Sequence, residues 1–186
     1  MSKLDILGIS GSLRKASFNA ALLRAAQEEA ATDVAIETYD YSDVPLYNGD
    51  VEAAGQPAAV ARFKERILKA DAILFAVPEY NYSFPGVLKN AIDWASRPYG
   101  KSAWAGKPVA MLSTGGGLGA SRAQYQLRQV LAGQGMWILP APEVFVVNAA
   151  TKFDADGRLT DDAARGLIKQ AVAGLAALTR RLAASA

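Results

Sequence analysis

Leu4-Asp5-Ile6-Leu7-Gly8-Ile9-Ser10-Gly11-Ser12-Leu13-Arg14-Lys15-Ala16-Ser17-Phe18-Asn19 is the stretch that decides the fold. Leu4–Ser10 is a near-continuous apolar run ending in small residues, the pattern of a strand buried on both faces. The loop after it runs straight into a helical period, Ser17–Ala31, with Ala20, Leu23, Ala26 and Ala30 at helical spacing. A helix N-terminus offers unpaired N–H groups and the positive end of a dipole. Around this one stand the hydroxyls of Ser10, Ser12 and Ser17, the carboxamide of Asn19 and the fork of Arg14, which matches a pair of phosphate oxygens. Neutral donors with one cation suit a phosphate monoester. An N-cap serine in a turn beside an exposed arginine is the plainer reading of the same residues.

Working outward, short strand-like runs alternate with longer helical periods. Val34–Tyr39 alternates like a strand; Pro57–Lys69 predicts a helix opened by proline, with Val60, Phe63, Ile67 and Leu68 on one face. Ala72–Val77 reads as a buried strand, Pro85–Trp94 as a helix, Pro108–Ser113 as a strand, Ser121–Ala132 as a helix and Val144–Val147 as a last short strand. Asp161 or Asp162 caps a final helix to about Ala183, with Leu167, Ala171, Leu175, Leu178 and Leu182 as its buried stripe. Near its end, Arg180 and Arg181 complement the helix dipole. Five strands alternating with five helices predict an α/β three-layer sandwich with a parallel sheet covered on both faces. Right-handed crossovers favour the doubly wound order 2-1-3-4-5. In such sheets a ligand sits beyond the carboxyl ends of the strands, so the loops after Ser10, Val77 and Ser113 carry the chemistry.

Composition narrows the function classes. The chain has 186 residues, long enough for one sizeable core, and no linker divides it, so residues 1–186 are read as one domain. It has no cysteine and no histidine. That excludes disulfides, CxxC redox chemistry, thiolate nucleophiles and nearly all structural zinc sites, and it removes the commonest general base. Redox chemistry therefore requires a bound cofactor. The net charge of +2 is too small to argue for nucleic acid or an anionic membrane. Met1-Ser2-Lys3 enters an apolar run too short for a signal peptide or a membrane span, so a cytoplasmic location is expected.

The second loop, Pro78-Glu79-Tyr80-Asn81-Tyr82-Ser83-Phe84-Pro85-Gly86, exposes more aromatic surface than loops usually do without a partner. Its prolines stiffen the backbone and preorganise N–H groups for the edge of a planar ring. Packing under the next helix is the alternative, and for Phe84 the preferred one. The third loop, Ser113-Thr114-Gly115-Gly116-Gly117-Leu118-Gly119, lets backbone approach a ligand closely. It also satisfies a Gly-x-Gly-x-x-Ala pattern, but a dinucleotide fingerprint belongs after the first strand of its unit, with an acid ending the next strand. Here the downstream run is Ile138-Leu139-Pro140-Ala141-Pro142, and the fingerprint is rejected.

Taken together, Gly11–Asn19 and Pro78–Gly86, with Leu88-Lys89-Asn90-Ala91-Ile92-Asp93-Trp94, Ala105-Gly106-Lys107-Pro108 and Arg122-Ala123-Gln124-Tyr125-Gln126-Leu127-Arg128, resemble the NADPH-dependent FMN reductase family. Within it, the bacterial quinone, azo-dye and chromate reductases look most similar. The resemblance runs from about residue 4 to the final helix. It implies a flavodoxin-like fold and a bound FMN, reduced by NADPH or NADH and reoxidised by quinones, azo dyes, chromate or free flavin. Ser10, Ser12, Leu13, Arg14, Ser17, Phe18 and Asn19 would hold the FMN phosphate; Pro78, Glu79, Tyr80 and Asn81 would line the isoalloxazine, closed by Ser113, Thr114 and Gly115. Chemistry at flavin N5 needs no protein acid or base, so no catalytic side chain and no metal is implied. The resemblance further implies a homodimer or homotetramer, with Tyr82, Arg122, Tyr125 and Glu143 as interface candidates. A flavodoxin-type electron carrier is the alternative. Such carriers hold the phosphate without arginine and dock through an acidic surface, and Arg14 with the +2 charge argues against that.

Overall fold

Ile73, Phe75 and Val77 pack into one core while Ala72, Leu74 and Ala76 pack into another, so a single strand serves both faces of a sheet. Period-two alternation with every position apolar is what a central parallel strand requires. The computed structural model describes residues 3–185; Met1 and Ser2, part of the N-terminal reading above, lie outside them. In chain order the elements are β1 (Leu4–Ser10), α1 (Phe18–Glu29), β2 (Val34–Thr38), α2 (Gly49–Ala54), α3 (Ala58–Lys69), β3 (Ala72–Val77), α4 (Gly86–Ala95), β4 (Pro108–Thr114), α5 (Ser121–Gly133), β5 (Trp137–Ile138), β6 (Val144–Val146) and α6 (Asp162–Ala183). All strand pairings are parallel, in the order β2-β1-β3-β4-β5, with β6 also on β4. The expected 2-1-3-4-5 sandwich is what the chain forms.

Helices α1 and α6 contribute Leu22, Leu23, Ile168 and Leu175 to the core on one face. On the other face α3, α4 and α5 contribute Phe63, Ile67, Leu88, Ile92, Leu127 and Leu131. Trp94 and Trp104 are fully buried, and each indole N–H finds a carbonyl: Pro45 at 2.8 Å and Ile92 at 3.1 Å. Among the described residues no helix is long and apolar enough to cross a membrane.

The differences from the sequence reading are local. The fifth position of the sheet is filled by two short strands, β5 at the start of β4 and β6 at its end, where one strand, Val144–Val147, was expected. Pro140 and Pro142 lie between them and cannot donate to a ladder, which interrupts the strand. Helix α2 was not anticipated; it buries none of its residues, so no apolar stripe announces it. Ser17, Pro57 and Pro85 are N-caps, so α1, α3 and α4 begin one residue later than expected. In α3 Leu68 lies outside the buried face, which is Val60, Phe63 and Ile67. The buried stripe of α6 is rotated: Ile168, Ala171, Val172, Leu175, Ala176 and Thr179 face the sheet, while Leu167 is exposed and Leu178 and Leu182 are only half-buried.

Candidate active site

The carboxyl ends of β1, β3 and β4 bring three loops together. Gly11 donates its N–H to the Ala76 carbonyl at 2.8 Å, which ties the first loop to the end of β3. A Cβ on Gly11 would come within 2.9 Å of Pro78 Cδ and 3.3 Å of a Leu88 methyl, so only glycine lets the two loops close up. Beyond it the first loop is folded by its own serines. Ser12 donates its N–H to Ser10 Oγ at 3.2 Å, and Arg14 donates its N–H to Ser12 Oγ at 3.3 Å. Ser17 Oγ caps α1, accepting from Asn19 N–H at 3.2 Å and Ala20 N–H at 3.4 Å. Among the described residues the N–H groups of Leu13, Lys15, Ala16, Ser17 and Phe18 make no hydrogen bond within the chain. Arg14 is exposed, and its Nη2 donates to the Ala16 carbonyl at 3.3 Å. The loop therefore gathers unpaired N–H donors and the exposed Arg14 guanidinium at a helix N-terminus, a donor set that fits a phosphate.

Asn19 faces the other way. It is buried, and its carboxamide spans the end of β4: Nδ2 donates to the Thr114 carbonyl and Oδ1 accepts from the Thr114 N–H, both at 3.3 Å. Its side chain thus registers α1 against the third loop. Leu13 and Phe18 are exposed on the loop's outer side, and Phe18 stacks on Phe153 with centroids 4.7 Å apart. Tyr41, which no sequence pattern singles out, donates its hydroxyl to the Ser10 carbonyl at 2.8 Å. Burial, with Asp40 nearby, pushes this phenol well above its ordinary value, which keeps it protonated as a donor around neutral pH.

The second loop is a tight hairpin. Tyr80 and Ser83 exchange N–H···O=C bonds of 2.8 and 3.1 Å, and both residues between them are left-handed, Asn81 at φ 51° and Tyr82 at φ 68°. For a residue as bulky as tyrosine this strain is on the order of 1–3 kcal/mol. Pro78 is buried at the hairpin's base, and Phe84 packs on the core under the following helix, as expected. The Ser12 and Tyr80 hydroxyls lie 3.4 Å apart and join the first loop to the second.

Glu79 is ion-paired to Arg122 of α5, which lies over the Tyr82 ring at 3.7 Å from its centroid. The pairing with Glu79 raises the guanidinium's pKa above its ordinary value. Glu79 Oε2 and Arg122 Nε are buried without a hydrogen-bond partner, so polar capacity is left over at the mouth of the site. On the third loop, Ser113 and Thr114 are buried and face inward: Ser113 Oγ donates to the Gly119 carbonyl at 2.7 Å and Thr114 Oγ1 to the Val146 carbonyl at 2.8 Å. The buried Gln124 donates to Ser113 Oγ at 3.2 Å. Gly115–Gly117, anchored by Gly115 N–H to the Val146 carbonyl at 3.3 Å and by the Gly116 carbonyl accepting from Asn148 N–H at 3.0 Å, form one wall of a cleft of about 440 Å3, whose other wall is Glu79 and Arg122. Side chains at Gly116 and Gly117 would meet nothing within 4 Å, so that wall is open.

All three loops thus meet, with a phosphate-type cradle at one end and a cleft between a stiff hairpin and a glycine wall at the other. The layout offers donors for a charged group at one end and room for a flat ring at the other. Residues 4–151 match the model of the NADPH-dependent FMN reductase family, and the chain belongs to that family. It is therefore an oxidoreductase with FMN as its cofactor and NAD(P)H as electron donor. An NAD(P)H-dependent FMN reductase of Pseudomonas aeruginosa is 52% identical over 180 residues, covering 96% of this chain and 97% of that protein. An NADPH:quinone oxidoreductase of Arabidopsis thaliana is 47% identical, covering 96% and 93%. Among solved structures, the flavoenzyme NAD(P)H:(acceptor) oxidoreductase FerB of Paracoccus denitrificans superposes with a TM-score of 0.87 at 37% identity, covering 96% and 98%.

Proposed function

We propose that this chain, as one FMN-binding domain, passes electrons from NADPH or NADH to quinones and to other small acceptors such as azo dyes, chromate or free flavin. Bound here, FMN would supply the two-electron redox chemistry between nicotinamide donor and acceptor. The residues' part is to hold, orient and exclude. The backbone N–H groups of Leu13 and of Lys15 to Phe18, with the side chains of Ser12, Arg14 and Ser17, hold the phosphate. Ser10 shapes that loop, and Asn19 ties it to the third. Pro78, Glu79, Tyr80 and Asn81 present a rigid backbone edge to the ring, and Ser113, Thr114 and Gly115 bring the glycine wall to its other side. No side chain at the site is required to move a proton. The observation that carries this reading is the meeting of the two ends: free N–H groups with Arg14 at the head of α1, and Ser12 joined to Tyr80 across the gap.

Tyr82, Arg122, Tyr125 and Glu143 support an assembly into a homodimer or homotetramer. Within one protomer they already make two pairs, Arg122 over Tyr82 and Tyr125 OH donating to Glu143 at 2.9 Å, and Tyr82 and Tyr125 remain exposed. A second copy laid on this face would cover them. The cytoplasm, which supplies NADPH, is the location that fits. Steady-state oxidation of NADPH by the FMN-loaded protein with a quinone tests the function: turnover is expected, and a protein that binds FMN yet gives none would instead be an electron carrier.

A further inference from the structure

The hairpin after β3 breaks a rule of turn chemistry. A two-residue turn with both central positions left-handed takes Asn readily at the first and glycine at the second. Asn81 follows the rule and Tyr82 does not. A side chain in that conformation persists only where its surroundings hold it.

One carboxamide supplies the hold. Gln126 donates from Nε2 to the Tyr82 carbonyl at 2.8 Å and accepts at Oε1 from Ser83 Oγ at 2.6 Å. The chemistry fixes the amide's orientation, because turned over it would set oxygen against the carbonyl. Both groups of one side chain are thus spent on two consecutive residues of the turn. Arg122 stands four residues earlier on α5, hence on the same helix face, and covers the Tyr82 ring from there.

We propose that Gln126 is a positioning residue for flavin binding: its carboxamide locks the Tyr80–Ser83 turn in the left-handed form and so fixes the Glu79–Asn81 backbone against the ring. The inference rests on the FMN reading above. With Gln126 truncated, Tyr82 relaxes toward the extended region, and the two bonds between Tyr80 and Ser83 are lost with it.

The test is Gln126→Ala, alone and combined with Tyr82→Gly. In the FMN-free protein the amides of Tyr80 and Ser83 should exchange hydrogen about tenfold faster in Gln126→Ala, the equivalent of about 1.4 kcal/mol. FMN affinity, read by quenching of flavin fluorescence, should fall by a similar factor. Glycine occupies the left-handed region freely, so Tyr82→Gly in the Gln126→Ala background should restore both readouts, which a general weakening of α5 would not permit. Gln126→Glu, which keeps the acceptor for Ser83 but loses the donor to Tyr82, should fall between. Wild-type exchange and affinity in Gln126→Ala, or no recovery in the double variant, would overturn the proposal. Failure of the wild-type protein to bind FMN would overturn the FMN reading instead, while exchange in the FMN-free protein still decides the role of Gln126.

Discussion

The phosphate loop and the hairpin stand side by side at the end of the sheet, yet they are held in opposite ways. Between ends that Tyr41, Ala76 and Thr114 anchor, the first loop is folded by neighbours: its serines bond to N–H groups two or three residues away, and its helix is capped from within. Tyr80–Ser83 is held from a distance, by Gln126 and Arg122 on α5, and carries a left-handed tyrosine that local chemistry disfavours. A loop that stabilises itself can be read from its own residues. A loop held against its preference can be read only with its partners in view.

Three substitutions sharpen that contrast. The largest effect is expected from Arg14→Ala, which removes an exposed cation of the cradle and, of the bonds within the loop, only the long one to the Ala16 carbonyl. FMN affinity should drop by about 1.5–3 kcal/mol, the range for a charge-assisted hydrogen bond. The thermal midpoint of the FMN-free protein should stay in place. An unchanged FMN dissociation constant would mean that Arg14 points elsewhere. Gly11→Ala probes the one place where the loops touch backbone to ring, since its methyl would sit 2.9 Å from Pro78 Cδ. Overpacking of this kind costs about 1–3 kcal/mol; denaturant unfolding should show it, with weaker FMN binding because both loops shift. Ser17→Ala should be smallest, about 1 kcal/mol of stability for a lost N-cap. A loss near zero in the FMN-free protein would show that the first loop is less self-sufficient than its hydrogen bonds imply.

The same contrast explains what the sequence made legible. Ala72–Val77 announces a central strand because every residue is apolar, and a run this short that is buried on both faces lies inside a sheet. Ser17 announces a helix start because capping is a contact with the next few residues. The stripe of α6 was misread because Leu167, Ile168, Ala171, Val172, Leu175, Ala176 and Leu178 leave two apolar faces to choose between. The choice is made by the sheet it packs on. Pro140 and Pro142 were visible, but not that β4 would pair on both sides of them. At the site, the meeting of the three loops at the carboxyl ends of β1, β3 and β4 was legible. The inward turn of Asn19, Ser113 and Thr114 was not, since a polar side chain beside a ligand loop has the same sequence whether it faces ligand or backbone. Gln126 had one available signal, its spacing of four from Arg122 on a helix.

Hydrogen exchange of the FMN-free protein, measured with and without added FMN, tests the central claim most directly. The account predicts that protection rises together at the amides of Leu13–Phe18, Tyr80–Ser83 and Gly115–Gly117, while α6 is unchanged. Protection confined to one of these loops, or appearing at another surface, would contradict a single site built from all three.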